Sequence, residues 1–180
     1  MLEITIPESE LWDEENQSFI LFKVQTLKLE HSLVSLSKWE SKWCKPLLSK
    51  AEKTREETVD YIRCMTLTQN VDPIIYTFIT DDQIAQVNAY INAPMTATWI
   101  TERHKIINRS EQITSELIYY WMIALNIPVE FQKWHLNKLL TLIQVCNIKN
   151  QPVKKMSQSE IYEHNAALNA MRRKQNHSSG

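Results

Sequence analysis

The chain has 180 residues and a mass of 21.2 kDa, with 43% hydrophobic and 23% charged residues and a formal net charge of −1. This is the composition of a folded globular chain rather than a disordered one, and a chain this long buries about two-thirds of the surface it exposes when unfolded. The near-zero charge excludes a uniformly basic nucleic-acid binder. The sole glycine, Gly180, excludes the glycine-dependent phosphate loops and the nucleophile elbow, which need backbone to approach a ligand or turn sharply.

The first segment is acidic and lacks the basic and apolar regions of a secretory signal, so export by that route is not expected. Within it Leu2, Ile4 and Ile6 alternate with Glu3 and Thr5, which predicts a half-buried strand ended by Pro7. A polar loop is expected next. A second strand then follows in which Phe22 and Val24 set one phase and Leu27, Leu29 and His31 the other, implying a bulge near Gln25–Thr26. Helices are expected near 37–48, 54–68, 80–92, 110–126, 130–148 and 157–175, with a short turn around Asp72–Phe78.

Four pairs have capping-box spacing: Ser37/Glu40, Thr54/Glu57, Thr80/Gln83 and Ser157/Glu160. With glycine absent from the interior, left-handed positions at helix ends fall to asparagine, and Asn70, Asn92, Asn126 and Asn147 stand where such ends are expected. Met95, Ala97 and Trp99 alternate with threonines, a pattern that favours a third short strand over 95–100. The most apolar stretch, Leu117 to Val129, is too short for the ~20 residues of a membrane-spanning helix and contains Asn126 and Pro128. The 130–148 helix carries Phe131, Leu136, Leu139, Leu140, Leu142, Ile143 and Cys146 over a wide face, which makes it the candidate centre of the core.

The expected fold is therefore mainly α with a small N-terminal β element (α+β), in one compact multi-helix domain. Residues 1–152 form the helical domain with its small β-sheet, and 153–180 a basic C-terminal helix and tail with a narrow apolar stripe of Ile161, Leu168 and Met171. Charge is lopsided: residues 1–16 carry Glu3, Glu8, Glu10, Asp13, Glu14 and Glu15 and no base. Residues 149–180 carry Lys149, Lys154, Lys155, Arg172, Arg173 and Lys174 against Glu160 and Glu163.

Groups that could carry chemistry read more simply as structure. Glu56/Glu57 and Asp81/Asp82 fall in first helical turns, where carboxylates complement the helix dipole. The five histidines show no zinc-binding spacing. Cys44, Cys64 and Cys146 form no C-x-x-C pair, suit a reducing compartment, and read as small hydrophobes rather than nucleophiles. No catalytic, cofactor or metal residue is assigned. The six tryptophans exceed the needs of a core this size, and aromatic anchors are enriched at protein contacts. Trp39, Trp43, Trp121 and Trp134 are thus candidate partner-binding residues, with Arg172 and Arg173 added for charge, although basic residues at a helix end also complement its dipole.

Several segments carry a resemblance: HSLVSLSKWESKWCKPLLS (31–49), DYIRCMTLTQNVDP (60–73), NAPMTATW (92–99), ITSELIYYWMIALNIPVEFQKWHLNKLLTLIQVCNIKNQP (113–152) and HNAALNAMRRK (164–174). Together they resemble the tail assembly chaperones of tailed bacteriophages. The resemblance implies a non-enzymatic protein of the host bacterial cytoplasm. It would bind the phage tape-measure protein before the tail tube polymerises, with the tail tube protein and a second copy of itself as further partners, and without membrane or cofactor. Two other readings stay open: a structural head or tail-completion protein of the virion, and a small nucleic-acid-binding regulator that uses the basic C-terminal helix.

Overall fold

The computed structural model describes residues 1–14, 17–98, 112–150 and 158–175. These fall into two units, Met1–Lys149 and Asn150–Gly180. The fold is mainly α with a small N-terminal β element, as expected.

Strand β1, Leu2–Ile6, pairs antiparallel with β4, Gln25–Leu29, from Leu2↔Leu29 to Ile6↔Gln25. The period of two puts Ile4, Ile6, Leu27 and Leu29 on one face, and all four are buried. The ladder is regular, so the bulge expected near Gln25–Thr26 is absent. The phase change has another cause: the stretch is cut into two strands, and the first, β3 (Ser18–Phe22), pairs elsewhere, with β2 (Ser9–Asp13). The segment expected to be a polar loop is therefore a second hairpin with a sheet of its own.

Helix α1, Leu33–Trp43, starts four residues earlier than expected because Ser32 and Ser35, not Ser37 and Glu40, form its capping box. It ends on Cys44, which takes the left-handed conformation at φ 50 that usually falls to glycine or asparagine. α2 (Arg55–Met65) and α3 (Asp81–Asn92) begin at the expected Thr54/Glu57 and Thr80/Gln83 boxes, and Asp72 caps a 3-10 helix over Pro73–Phe78. Asn70 and Asn126 adopt positive φ as anticipated, whereas Asn92 closes α3 as a helical residue and Asn147 lies inside the fifth helix. Asn137 does Asn92's expected work from a distance, donating from its amide to the Ile91 and Ala93 carbonyls at 2.8 Å each.

Residues 93–98 form neither strand nor helix, with Met95 at φ 50, so the expected strand is not found there; Trp99 and Ile100 lie outside the described residues. α4, Ser115–Ala124, is capped by Thr114, and the earlier start expected at 110 also lies outside them. The 130–148 helix is two elements. A 3-10 turn over Val129–Lys133 ends at extended Trp134, and α5, Leu136–Asn150, begins afresh. α6, Gln158–Gln175, belongs to the second unit; Ser157 of its expected capping box lies outside the described residues.

The apolar interior of the first unit comprises two clusters. One holds β1, β4, α2, α3 and Trp39; the other holds Leu33, Leu36, Ile118, Met122, Leu136, Leu139 and Ile143. The element common to both is α1: steps of three residues turn its buried stripe by about 60° each, so Leu33 and Trp39 lie about 120° apart with Leu36 between them, and the helix meets one cluster through Leu33 and Leu36 and the other through Trp39. The centre of the interior is therefore α1. α5 supplies only Leu136, Leu139 and Ile143 as buried residues, and its Leu140, Leu142 and Cys146 stay half-buried.

Candidate protein-docking site

The β2–β3 hairpin places Trp12 directly opposite Phe19, with ring centroids 4.9 Å apart edge to face. Leu11 faces Ile20 and Glu10 faces Leu21. Alternation then defines two faces. One carries Ser9, Leu11, Ile20 and Phe22; its root turns inward, since Phe22 is half-buried with its ring 5.6 Å from that of Phe78, while Leu11 and Ile20 are 38% and 39% exposed. The other carries Glu10, Trp12, Phe19 and Leu21 and faces solvent; Trp12 is 48% exposed, Phe19 62% and Leu21 61%. A two-stranded hairpin is marginal in water by itself, and contiguous exposed apolar surface on a soluble domain marks an interaction site. Trp12, Phe19 and Leu21 were not singled out from the sequence. What the sequence offered was aromatic and aliphatic content in SELWD and SFILF on either side of the polar stretch 14–17, not alternation, since Leu11 adjoins Trp12 and residues 19–22 are all apolar; Gln17 takes φ 44 at the turn.

The tryptophans that were singled out are elsewhere. Trp39 is a correction: it is 1% exposed, and its indole N–H donates to the Glu57 carbonyl at 2.9 Å, so it is a core residue and not a contact surface. Trp43 is half-buried, stacked on Trp39 at 6.1 Å, and donates to the Asp60 carboxylate at 2.8 Å. Trp121 is half-buried against the second cluster, and Trp134 stacks on Phe131 at 4.0 Å with the Lys138 ammonium 4.3 Å from its ring centre. These four do not converge on one surface. Arg172 and Arg173 are exposed on α6.

A concavity of about 370 Å³ lies between α2 and α3 and is walled by Leu47, Leu48, Ile62, Val87 and Ile91. Its polar floor includes His31, whose Nδ1 lies 2.6 Å from the Tyr61 hydroxyl. The His31 ring is 5.1 Å from that of His135. The Asn137 N–H donates to His135 Nδ1 at 3.3 Å, leaving the ring proton on Nε2 to donate to the Tyr90 carbonyl at 3.2 Å. His135 thereby caps the start of α5 and does so only when neutral. Burial, then the neighbouring His135, pushes the His31 pKa down to about 3; burial also lowers that of His135. Tyr61, buried, is held well above the usual phenol range.

These groups serve the fold. Glu57 is buried, caps α2 through Thr54, and accepts from Lys45 at 2.6 Å, the contact that does most to hold its carboxyl below the usual range. Cys64 is raised by burial and the nearby Asp60 and so stays a thiol, while Cys44 is exposed rather than a buried hydrophobe. Among the described residues no three His, Cys, Asp or Glu side chains cluster as a metal site, and no helix is long and apolar enough to cross a membrane. The chain matches no protein-family model, no curated protein and no solved structure.

Proposed function

We propose that the chain is a phage tail assembly chaperone. It holds the tape-measure protein in the bacterial cytoplasm until the tail tube polymerises around it, by contact and without catalysis. The observation that carries this reading is the solvent-facing Trp12, Phe19 and Leu21 of the hairpin, an apolar surface the rest of the first unit does not need for its own core. The sequence resemblance supplies the client. A holding protein must bind apolar client surface reversibly, and exposed aromatics on a small sheet supply that at low entropic cost.

The test is co-expression with the tape-measure protein of the same genome. The client is expected to become soluble and to co-purify, and the Trp12→Ser/Phe19→Ser variant to lose both effects. A client that stays insoluble, together with this chain in purified mature virions by mass spectrometry, would instead make it a structural virion component.

A further inference from the structure

We propose that the outward face of the β2–β3 hairpin seats one amphipathic helix of a partner protein, with lysine and arginine flanking the helix's apolar stripe. The assignment rests on the holding function above and adds the chemistry of what is held.

Three observations select this occupant. The first is area and shape. Trp12, Phe19 and Leu21 lie on one face of five-residue strands, a platform about 17 Å long that matches about three turns of helix. The second is the location of the unmet apolar surface. A strand added at the hairpin edge would satisfy backbone groups but leave these three side chains in water, whereas a helix laid across the face covers them. The third is charge. Residues 8–22 carry Glu8, Glu10, Asp13, Glu14 and Glu15 and no lysine or arginine, and a single exposed base, Lys23, follows directly after. Glu10 shares the apolar face, and Glu8, Glu10 and Glu14 are exposed. An acidic rim around an aromatic face favours a cationic partner and opposes a second copy of the same hairpin, which would bring like charges together.

The probe is a fluorescein-labelled helical peptide of leucine and lysine in amphipathic register, titrated into the full chain and followed by anisotropy. Two control peptides are an acidic version with glutamate in place of lysine, and an extended version with leucine and lysine alternating. The helical cationic peptide should bind, and its affinity should weaken several-fold from about 50 to about 300 mM salt. Trp12→Ser/Phe19→Ser should weaken binding at least about tenfold. Glu8→Gln/Glu10→Gln/Glu14→Gln should weaken it about threefold and flatten the salt dependence. Tyr120→Ser/Ile123→Ser, on the exposed side of α4, should leave binding unchanged.

Equal binding of the acidic peptide, preference for the extended peptide, or unchanged affinity in the hairpin variant with a native circular dichroism spectrum would each overturn the proposal. So would a dimer of the free chain that Trp12→Ser/Phe19→Ser returns to monomer, since the occupant would then be a second copy. Peptide binding without solubilisation of the tape-measure protein would keep this seat and remove the chaperone function. Solubilisation without peptide binding would do the reverse.

Discussion

Glu40 shows how much one buried carboxylate can organise. It is 7% exposed, and its two oxygens accept from the Leu47 N–H at 3.0 Å and the Ser115 N–H at 2.7 Å, tying α1 to the following loop and to the first turn of α4. Glu40→Ala strands both N–H groups and should lower stability by about 2–4 kcal/mol in urea unfolding, whereas Glu40→Gln, which keeps one carbonyl acceptor, should lose roughly half of that. The buried histidines set the pH dependence. The unfolded chain protonates His31 below its ordinary value of 6.5, while the folded chain keeps it neutral down to about 3, so stability falls as pH falls through that window. His135 adds a loss of the same sign below 6.5, and Glu57, lowered in the fold, adds another below 4.5. Unfolding free energies measured from pH 7 to pH 4 should drop at a slope approaching about 1.4 kcal/mol per pH unit from His31, with His135 adding to the loss, and His31→Gln should remove its share. Neither role was legible in the sequence. Ser37 stands at the right spacing to claim Glu40 for a capping box, and nothing local announces that His31 and His135, 104 positions apart by subtraction, meet in the interior.

Elements whose signals are local were legible, and those decided by competition were not. Thr54/Glu57 and Thr80/Gln83 start helices because each pair closes its own backbone bonds within four residues. Ser37/Glu40 has the same spacing but loses to Ser32/Ser35, since starting at Ser32 buries Leu33 and Leu36. The hairpin was hidden for a related reason. Its carboxylates read as loop, and Leu11 beside Trp12 and the unbroken apolar run 19–22 give no period of two that would mark strands. Its exposed face predicts a separation of stability from binding. Trp12→Ser/Phe19→Ser should shift the unfolding free energy by less than about 1 kcal/mol, because it removes little buried surface. Trp39→Ala, which empties a buried site and orphans its bond to Glu57, should cost about 3–5 kcal/mol, both by chemical denaturation.

At the scale of the first unit, the arrangement of two apolar clusters about one helix has a consequence for cooperativity. Leu36 is fully buried in the cluster of α4 and α5, and Trp39, one turn on, is buried in the cluster of the β1–β4 sheet, α2 and α3. Neither cluster keeps its wall if α1 leaves. The start of α5 is fastened to the start of α1 as well, through the Leu136 N–H to the His31 carbonyl at 2.7 Å and the bridge between Ser32 and His135. Independent melting of either cluster would expose the other, so they should unfold together. Leu36→Ala, in the second cluster, should therefore cost about 2–5 kcal/mol and lower amide protection equally at Leu27 in β4 and at Ile143 in α5 when hydrogen exchange is followed by NMR. Ile62→Ala, in the first cluster, should lower the same two amides. A loss confined to Ile143 in the Leu36 variant would mean that α1 can release one cluster while keeping the other. The shared helix would then be a hinge between two foldable parts rather than the spine of one.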